Sequence, residues 1–198
     1  MLALPPAPAP APRRQVLAGT AIAGAAAAML IGGQLAVWWR FREASPLREG
    51  SDGLVKSWLP EKVSIPGVPT NIMLITMCVL CLMAQYAVYA AKRADRTNTA
   101  LGLGIVAIMG LAVLNGQVFV YSQMELPITD GAYSSLFYAI TGTFVVLLLA
   151  ALAFTIVTAF RYLAGRTADT EVVSSLALFW YILTGIYIAV WFVIYVTK

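Results

Sequence analysis

Long apolar segments alternate with short polar ones along most of the chain. Five segments contain no Asp, Glu, Lys or Arg: 15–39, 67–91, 98–121, 131–160 and 172–197. A helix needs roughly 20 apolar residues to cross a bilayer core about 30 Å thick. The pattern therefore predicts an all-α, polytopic membrane protein in which residues 15–198 form a bundle of five transmembrane helices.

Composition supports this interpretation and excludes several functions. Of the 198 residues, 61% are hydrophobic and 11% are charged, which is far from the usual composition of a soluble domain. The chain has no histidine, the residue most used for haem ligation, for zinc and copper sites and for proton transfer near neutral pH. We therefore expect that the chain itself binds no haem and no metal, and we expect no nucleic acid among its partners.

The basic residues indicate an orientation, because Lys and Arg in short loops are retained on the cytoplasmic side. They precede the first span and occupy the loops after the second and fourth spans, at Arg13, Arg14, Lys92, Arg93, Arg96, Arg161 and Arg166. The loop that holds Glu125 and Asp130 has none. Loop 40–66 opposes the pattern, although its acidic residues partly balance its basic ones. We predict a cytoplasmic N-terminus and an external C-terminus.

Residues 1–14 differ from the rest of the chain. The stretch PPAPAPAPRR is rich in Pro and Ala, a composition that does not pack, so it predicts a disordered cytoplasmic lead. The alternative is a twin-arginine signal at RRQVLAGTAIAG. The apolar segment continues to Trp39, beyond the usual length of a signal's apolar region, which favours a transmembrane helix.

The predicted spans lack the chemistry of a transporter. Transporters, pumps and channels normally carry an ionisable group that faces a cavity in the membrane, and these spans carry none. Small residues recur instead at every fourth position of the first span, at Gly24, Ala28 and Gly32. This spacing lets helices approach closely. It predicts a packing face, directed either within the chain or toward a partner.

The second span contains one candidate metal site. Met73, Met77, Cys78 and Cys81 offer the thioether and thiolate ligands that suit Cu(I), and the spacing of the two cysteines puts them on one helix face. The alternative is that Met and Cys fill apolar space in the helix. We favour the second interpretation, because no charged or imidazole group flanks the four residues to orient such ligands.

Aromatic residues occur near the ends of the spans and within the last one. Trp38, Trp39, Trp58 and Tyr195 lie near span ends, which is typical of anchors at the membrane interface. Trp180 and Tyr187 lie deeper in the last span. We expect these two to pack against a neighbouring helix or against lipid chains.

Four stretches, in this order along the chain, resemble segments of subunit III of the haem-copper respiratory oxidases. WLPEKVSIPGVPTN carries Trp58, Pro60, Pro69 and Asn71; GQVFVY carries Gln117 and Tyr121; LPITDGAYSSLFYAITG carries Asp130, Gly131, Tyr133, Phe137, Tyr138, Thr141 and Gly142; ALFWYILTGIYIAVWFVIYV carries Trp180 and Tyr181. In the third stretch, Asp130 is suited to accept hydrogen bonds from the first backbone amides of the following helix.

The chain departs from that family where the family carries ionisable groups in the membrane. Tyr181 stands for a histidine, Thr184 for an aspartate and Val120 for a glutamate, and residues 143–145 lack the two histidines that follow the Thr-Gly pair. The first span also lacks the family's buried carboxylate. The resemblance therefore implies a divergent member in which a proton-handling role is in doubt.

The resemblance also implies a function. Subunit III of these oxidases carries no redox centre, holds phospholipid in a cleft and packs on the catalytic subunit I. The chain is thus expected to be a non-catalytic component of a bacterial terminal oxidase in the plasma membrane. Its partners would be subunit I, where haem and copper reside, other oxidase subunits and phospholipid. The alternatives are a subunit-III-like protein associated with nitric oxide reductase and a small membrane transporter.

The predicted orientation is testable by thiol labelling in intact cells. A cysteine placed near Arg93 should be shielded from a membrane-impermeant reagent, whereas one placed near Thr129 should react, because the basic loops face the cytoplasm. The reverse labelling pattern would contradict the orientation.

Overall fold

Five long helices make up most of the protein. The structure is a computed structural model, and it describes residues 14–50, 53–60, 63, 65–127, 131–166 and 170–197. The helices are α1 (Gln15–Ala44), α2 (Gly67–Lys92), α3 (Arg96–Met124), α4 (Ala132–Leu163) and α5 (Thr170–Val190). A π-helix, Trp191–Val196, continues α5. All five are long and apolar enough to cross a membrane, which confirms the predicted bundle. The proposed lead, except for Arg14, and Asp130 lie outside the described residues.

The loop between α1 and α2 contains a β-hairpin that was not predicted. Strands β1 (Leu47–Gly50) and β2 (Gly53–Lys56) pair antiparallel, with Leu47 opposite Lys56 and Gly50 opposite Gly53. The amide of Ser57 donates to the carbonyl of Pro46 at 2.8 Å and extends the pairing by one residue pair. A search for long uncharged segments cannot detect so short an element.

Helix α5 is the centre of the bundle and α1 is its most peripheral member. Helix α5 packs against α1, α2 and α4, whereas α3 packs mainly between α2 and α4. The fraction of buried residues in the most apolar part of each span shows this. It is 44% for α5 with its π-helix but only 17% for α1. Most of the surface of α1 therefore faces away from the protein.

The N-terminus of α1 is capped by a residue from another helix. Its own N-cap, Arg14, makes no side-chain capping bond. The carboxylate of Glu171, in the first turn of α5, instead accepts hydrogen bonds from the amides of Val16 at 2.9 Å and Leu17 at 3.2 Å. This satisfies amides that have no partner within the helix and places a negative charge at the positive end of its dipole. Helices α1 and α5 therefore begin at the same end of the bundle.

The turn between α2 and α3 lies at this end as well. Asp95 is the N-cap of α3, and its carboxylate accepts from the backbone amide of Asn98 at 3.1 Å and from its side-chain amide at 2.6 Å. These bonds, chiefly the one from the backbone amide, hold the pKa of Asp95 below its usual value. Arg96 donates to the carbonyl of Leu163, the last residue of α4. Because α2 ends and α3 begins here, this end carries Lys92, Arg93 and Arg96, three of the residues on which the predicted orientation depends.

Close contact between helices depends on glycines. A Cβ at Gly102 would lie 3.0 Å from the Cβ of Ala87, so α2 and α3 touch almost backbone to backbone. A Cβ at Gly110 would lie 2.7 Å from Leu152 and 2.9 Å from the indole of Trp180. In lipid, such close contacts supply much of the energy of helix association.

The predicted small-residue face of α1 is divided by the structure. Gly24 is buried, and a side chain there would overlap that of Ile182 on α5. Ala28 and Gly32 are exposed, and nothing lies within 4 Å of a Cβ at Gly32. Every fourth position drifts from one face because four residues turn a helix by about 400°. Within this chain the three residues therefore do not share one packing face: Gly24 packs inward, whereas Ala28 and Gly32 face outward.

The cap supplied by Glu171 should contribute to stability. Glu171→Ala removes both the acceptor and the charge, so we expect it to lower the free energy of unfolding by about 1 kcal/mol. Glu171→Gln keeps an acceptor and should cost less. The measurement is unfolding in mixed micelles, followed by circular dichroism.

Ser174→Ala is the matched control, because the Ser174 hydroxyl bonds within its own helix, to the carbonyl of Thr170. If Glu171→Ala proved no more destabilising than Ser174→Ala, the cap would contribute nothing to the fold.

Candidate functional site

The residues that carry the family resemblance collect at the end of the bundle opposite the basic turn. Asn71 lies in the first turns of α2, and Gln117 and Tyr121 lie in the last turns of α3. Gly131 precedes α4, which contains Tyr133, Thr141 and Gly142 in its first turns. Trp180 and Tyr181 lie near the middle of α5. Most of the motif residues, although far apart in the sequence, therefore lie at the same end of the bundle.

Helices α3 and α4 are joined there by a chain of hydroxyl groups. The Tyr121 hydroxyl donates to the Thr141 hydroxyl at 2.9 Å, and Thr141 donates to the carbonyl of Phe137 at 2.6 Å. The Tyr138 hydroxyl donates to the carbonyl of Leu126 at 3.0 Å, just beyond the end of α3. Two tyrosines therefore fix the angle at which the chain returns into the membrane. Gly142 contributes space only, since nothing lies within 4 Å of a Cβ there.

The turn before α4 requires a glycine. Gly131 is the N-cap of α4 and has a φ of 97°, a left-handed conformation that side chains other than hydrogen rarely adopt. Its carbonyl accepts the first helical hydrogen bond, from the amide of Ser135 at 3.3 Å. The glycine of the Asp-Gly pair thus has a backbone role, while the predicted capping by Asp130 lies outside the described residues.

An aromatic cluster covers this end of the bundle. The ring of Tyr133 lies 5.0 Å from that of Trp38 and 5.5 Å from that of Trp58, and the two indoles meet edge to face at 5.0 Å. Tyr133 also stacks on Phe137, whose ring is 6.4 Å from that of Tyr195. We define these five residues as the aromatic cluster.

The aromatic cluster corrects the prediction of interfacial anchors. Trp38, Trp58 and Tyr195 are only 2%, 7% and 5% exposed, so they are part of the core and do not face the lipid interface. Trp39 is 42% exposed, as an anchor should be. The loop after α1 brings Trp58 against Trp38 and Tyr133, a tertiary contact that position relative to a span end does not reveal.

A small cavity lies beside the aromatic cluster. It has a volume of about 170 Å³ and is lined by Thr70, Asn71, Trp191 and Tyr195, among others. The indole of Trp191 donates to the side-chain oxygen of Asn71 at 2.9 Å, and the Tyr187 hydroxyl donates to the carbonyl of Thr70 at 3.1 Å. Asn71 thus has a defined role: it joins the start of α2 to the π-helix.

Trp180 and Tyr181 contact different helices. Trp180 is fully buried, as expected for packing against a neighbouring helix, and its indole donates to the Thr155 hydroxyl on α4 at 3.0 Å. Tyr181 is 37% exposed and donates to the side-chain oxygen of Gln85 on α2 at 2.6 Å. The two residues therefore join α5 to α4 and to α2, respectively, but they do not form a single site.

Neutral contacts occupy the positions where the resembled family has ionisable groups. Phe144 is buried against Tyr187, with ring centroids 5.0 Å apart. The Thr184 hydroxyl lies 3.1 Å from the sulfur of Cys81, and Val120 is fully buried. These positions have been absorbed into packing, and no proton-transfer group remains at them.

The structure does not assemble the candidate copper site. Met73 and Met77 are 2% and 0% exposed and face the core, whereas Cys78 is exposed on the outer surface. Cys81 is directed toward Thr184. Within the described part of the chain, no group of three or more His, Cys, Asp and Glu residues is placed to hold a metal ion.

Two comparisons bear on the identity of this arrangement. A family profile described as Cytochrome c oxidase subunit III matches residues 31–198. The cytochrome c oxidase subunit 3 of Synechocystis sp. is 28% identical over 94 residues, which are 45% of this chain and 39% of that protein. The aligned part thus spans well under two thirds of that relative's length. The profile match begins within α1 and includes all of α2–α5.

Tyr121 and Thr141 should be energetically coupled through their hydrogen bond. We expect Tyr121→Phe and Thr141→Val each to lower the free energy of unfolding by about 1 kcal/mol, as interhelical hydrogen bonds in membranes do. The double variant should cost less than the sum, because the same bond is lost in both single variants. The measurement is a double-mutant cycle from unfolding in mixed micelles.

Tyr138→Phe with Thr141→Val is the matched control. The Tyr138 hydroxyl bonds to Leu126 instead, so these two effects should add. Additive effects for Tyr121 and Thr141 as well would show that their hydrogen bond carries no stability.

Proposed function

The chain belongs to the cytochrome c oxidase subunit III family, and from this premise we propose that it is a non-catalytic subunit of a bacterial haem-copper terminal oxidase. In this role it stabilises the catalytic subunit and binds phospholipid. The observation that carries the proposal is the family match across four complete helices, together with the motif residues that meet at one end of them.

The non-catalytic part of the proposal is supported by the chemistry of the interior. The sequence has no histidine, and the buried side chains of the described helices that carry polar atoms are Thr, Ser, Gln, Tyr and Trp. Such groups donate and accept hydrogen bonds but do not exchange protons near neutral pH. We infer that haem and copper are held by the partner subunit, where electron and proton transfer take place.

The outward face of α1 is the surface we assign to subunit contact. This helix buries the smallest part of its apolar surface within the chain. Gly32 and Gly33 have open space where a side chain would be, and Ala28 is exposed near them. Small residues on a lipid-facing surface allow a second helix to approach closely and gain dispersion contacts. A helix of the catalytic subunit would fit this face.

A groove beside that face is the place we assign to lipid. It lies between α1 and α4, has a volume of about 570 Å³ and is lined mainly by apolar side chains, including Met29, Leu30, Val37 and Leu136. Gln34, also in its lining, is bonded to the Thr143 hydroxyl at 3.0 Å. Such a lining suits an acyl chain, which would fill the groove between this chain and a partner.

The location follows from the proposed function. An oxidase subunit with five spans lies in the bacterial plasma membrane, and we place the basic end of the bundle in the cytoplasm, because Lys and Arg are retained there. The aromatic cluster then lies near the external surface. Thiol labelling, as described above, tests this orientation.

The proposal predicts that the chain co-purifies with a haem protein. Affinity purification of the tagged chain from native membranes in a mild detergent should recover a haem-containing core, phospholipid and oxygen-reducing activity. The measurements are an optical spectrum, metal and lipid analysis, and oxygen consumption. A core that reduces nitric oxide but not oxygen would favour the alternative family assembly. Recovery of the free chain would contradict the proposal.

Three glycine variants locate the contact. Gly32→Leu should lower recovery of the haem core several-fold and leave the chain's own unfolding unchanged, because it adds bulk only outside the bundle. Gly24→Leu should destabilise the chain itself, since the new side chain would overlap Ile182. Gly104→Leu, on the open side of α3, is the control and should change neither. Full recovery with Gly32→Leu would exclude this face as the contact.

A further inference from the structure

Five buried polar atoms at the aromatic end have no hydrogen-bond partner among the described residues. They are the indole nitrogens of Trp38 and Trp58, the amide nitrogen of Gln117, and the hydroxyls of Tyr133 and Tyr195. All five side chains are more than nine-tenths buried. In folded proteins, the large majority of buried polar groups have a partner in the protein or in ordered water. Five exceptions at one end of a small bundle require a common explanation.

The five atoms belong to one connected region. The rings of Trp38, Trp58 and Tyr133 are within 5.5 Å of one another. The Tyr195 hydroxyl interacts with the Gln117 side chain and with Tyr133, although its contact with the Gln117 amide nitrogen does not have the distance and angle of a good hydrogen bond. We call this set, Trp38, Trp58, Gln117, Tyr133 and Tyr195, the donor cluster. Its members come from α1, the loop after it, α3, α4 and the π-helix.

The chemistry of the donor cluster specifies what would satisfy it. An indole nitrogen and an amide nitrogen can only donate, whereas a phenol can donate or accept. At least three of the five atoms therefore need an acceptor, and all five side chains are neutral. Water fits this requirement, since one molecule accepts from two donors and donates to a phenol oxygen. Buried waters typically make about three hydrogen bonds to such otherwise unsatisfied groups.

The neighbouring cavity offers a route for water. Tyr195 belongs to the donor cluster and also lines the cavity beside Asn71 and Trp191. The cavity volume of about 170 Å³ corresponds to roughly six water molecules at about 30 Å³ each.

The backbone at the same place is unusual, which is an independent observation. Trp191–Val196 is a π-helix, and the amide of Thr197 bonds to the carbonyl of Phe192, five residues earlier. π-Helical turns are rare in proteins as a whole, and those that occur are often found at functional sites. Both Trp191 and Tyr195, the aromatic residues of the cavity wall, lie in this segment.

We propose that the donor cluster is a binding site for ordered water, which enters from the adjacent cavity past Tyr195. The waters accept hydrogen bonds from the two indoles and the Gln117 amide, and they bridge these groups to the hydroxyls of Tyr133 and Tyr195. They join α1, α3, α4 and the π-helix where direct hydrogen bonds among these five groups are lacking in the described structure.

Hydrogen exchange at the indole nitrogens tests the proposal. The full chain, labelled with ¹⁵N-tryptophan, is placed in nanodiscs and transferred to D₂O, and each indole signal is followed by NMR. Trp38 and Trp180 are 2% and 0% exposed, but Trp180 is bonded to Thr155. We expect the signals of Trp38 and Trp58 to decay at least tenfold faster than that of Trp180. Decay as slow as that of Trp180 would place the acceptors in the protein and overturn the proposal.

A second measurement separates bound water from local opening of the bundle, which would also speed exchange. Tyr133→Phe removes one hydroxyl of the donor cluster without changing its packing. If water binds there, the midpoint temperature of unfolding of the variant should be about 2–4 °C lower. Tyr187→Phe, which loses a hydrogen bond to Thr70, should lower the midpoint by a similar amount. If the Tyr133 hydroxyl is unsatisfied, removing it should leave the midpoint unchanged or raise it. That outcome would overturn the proposal even if exchange were fast.

Discussion

Helices in lipid gain little by burying apolar surface against one another, because the acyl chains they leave are equally apolar. The fold therefore depends on how closely the backbones approach. Trp180 at the centre of α5 illustrates the constraint: its indole reaches Gly110 on α3, and its nitrogen bonds to Thr155 on α4. One residue thus joins three helices: a side chain at Gly110 would overlap its indole, and loss of the Thr155 hydroxyl would remove the acceptor of its nitrogen.

The same constraint determines the chemistry of the interior. A polar group inside the bundle must find a partner there, and the described helices solve this with neutral residues. Buried threonines bond to the carbonyl four residues earlier, as Thr155 does at 2.7 Å, and interhelical bonds join neutral hydroxyl, indole and side-chain amide groups. Phe144 and Thr184 illustrate this, because each occupies a position where the resembled family has an ionisable group: Phe144 packs on Tyr187, and the Thr184 hydroxyl is hydrogen-bonded to the Cys81 thiol.

The sequence sufficed for the helices because an uncharged apolar segment is nearly all that a membrane span requires. It located their ends less well: α1 continues through Arg40 and Arg42 to Ala44, since a helix can extend into water with charged residues on its surface. It did not reveal which faces pack. Apolar residues point both inward and outward in lipid, so periodicity could not distinguish Gly24, which is buried, from Gly32, which is exposed. The burial of Trp38 and Trp58 is also a tertiary feature, created by the loop that brings the second indole back to the first.

The two ends of the bundle are held by different forces, and this difference has a consequence for assembly. At the basic end, charged groups cap helix termini: Glu171 for α1, Asp95 for α3 and Arg96 for α4. Each of these bonds satisfies a backbone group that its own helix leaves open. At the aromatic end, neutral rings pack over α1 and α4, and hydrogen bonds between neutral groups, such as Tyr121 to Thr141 and Trp191 to Asn71, supply the polar contacts. Helix α1 is therefore fixed at both ends by its own chain, while the surface of its middle part, including Ala28 and Gly32, stays uncovered. A partner helix can bind that surface without displacing any contact on which the fold depends.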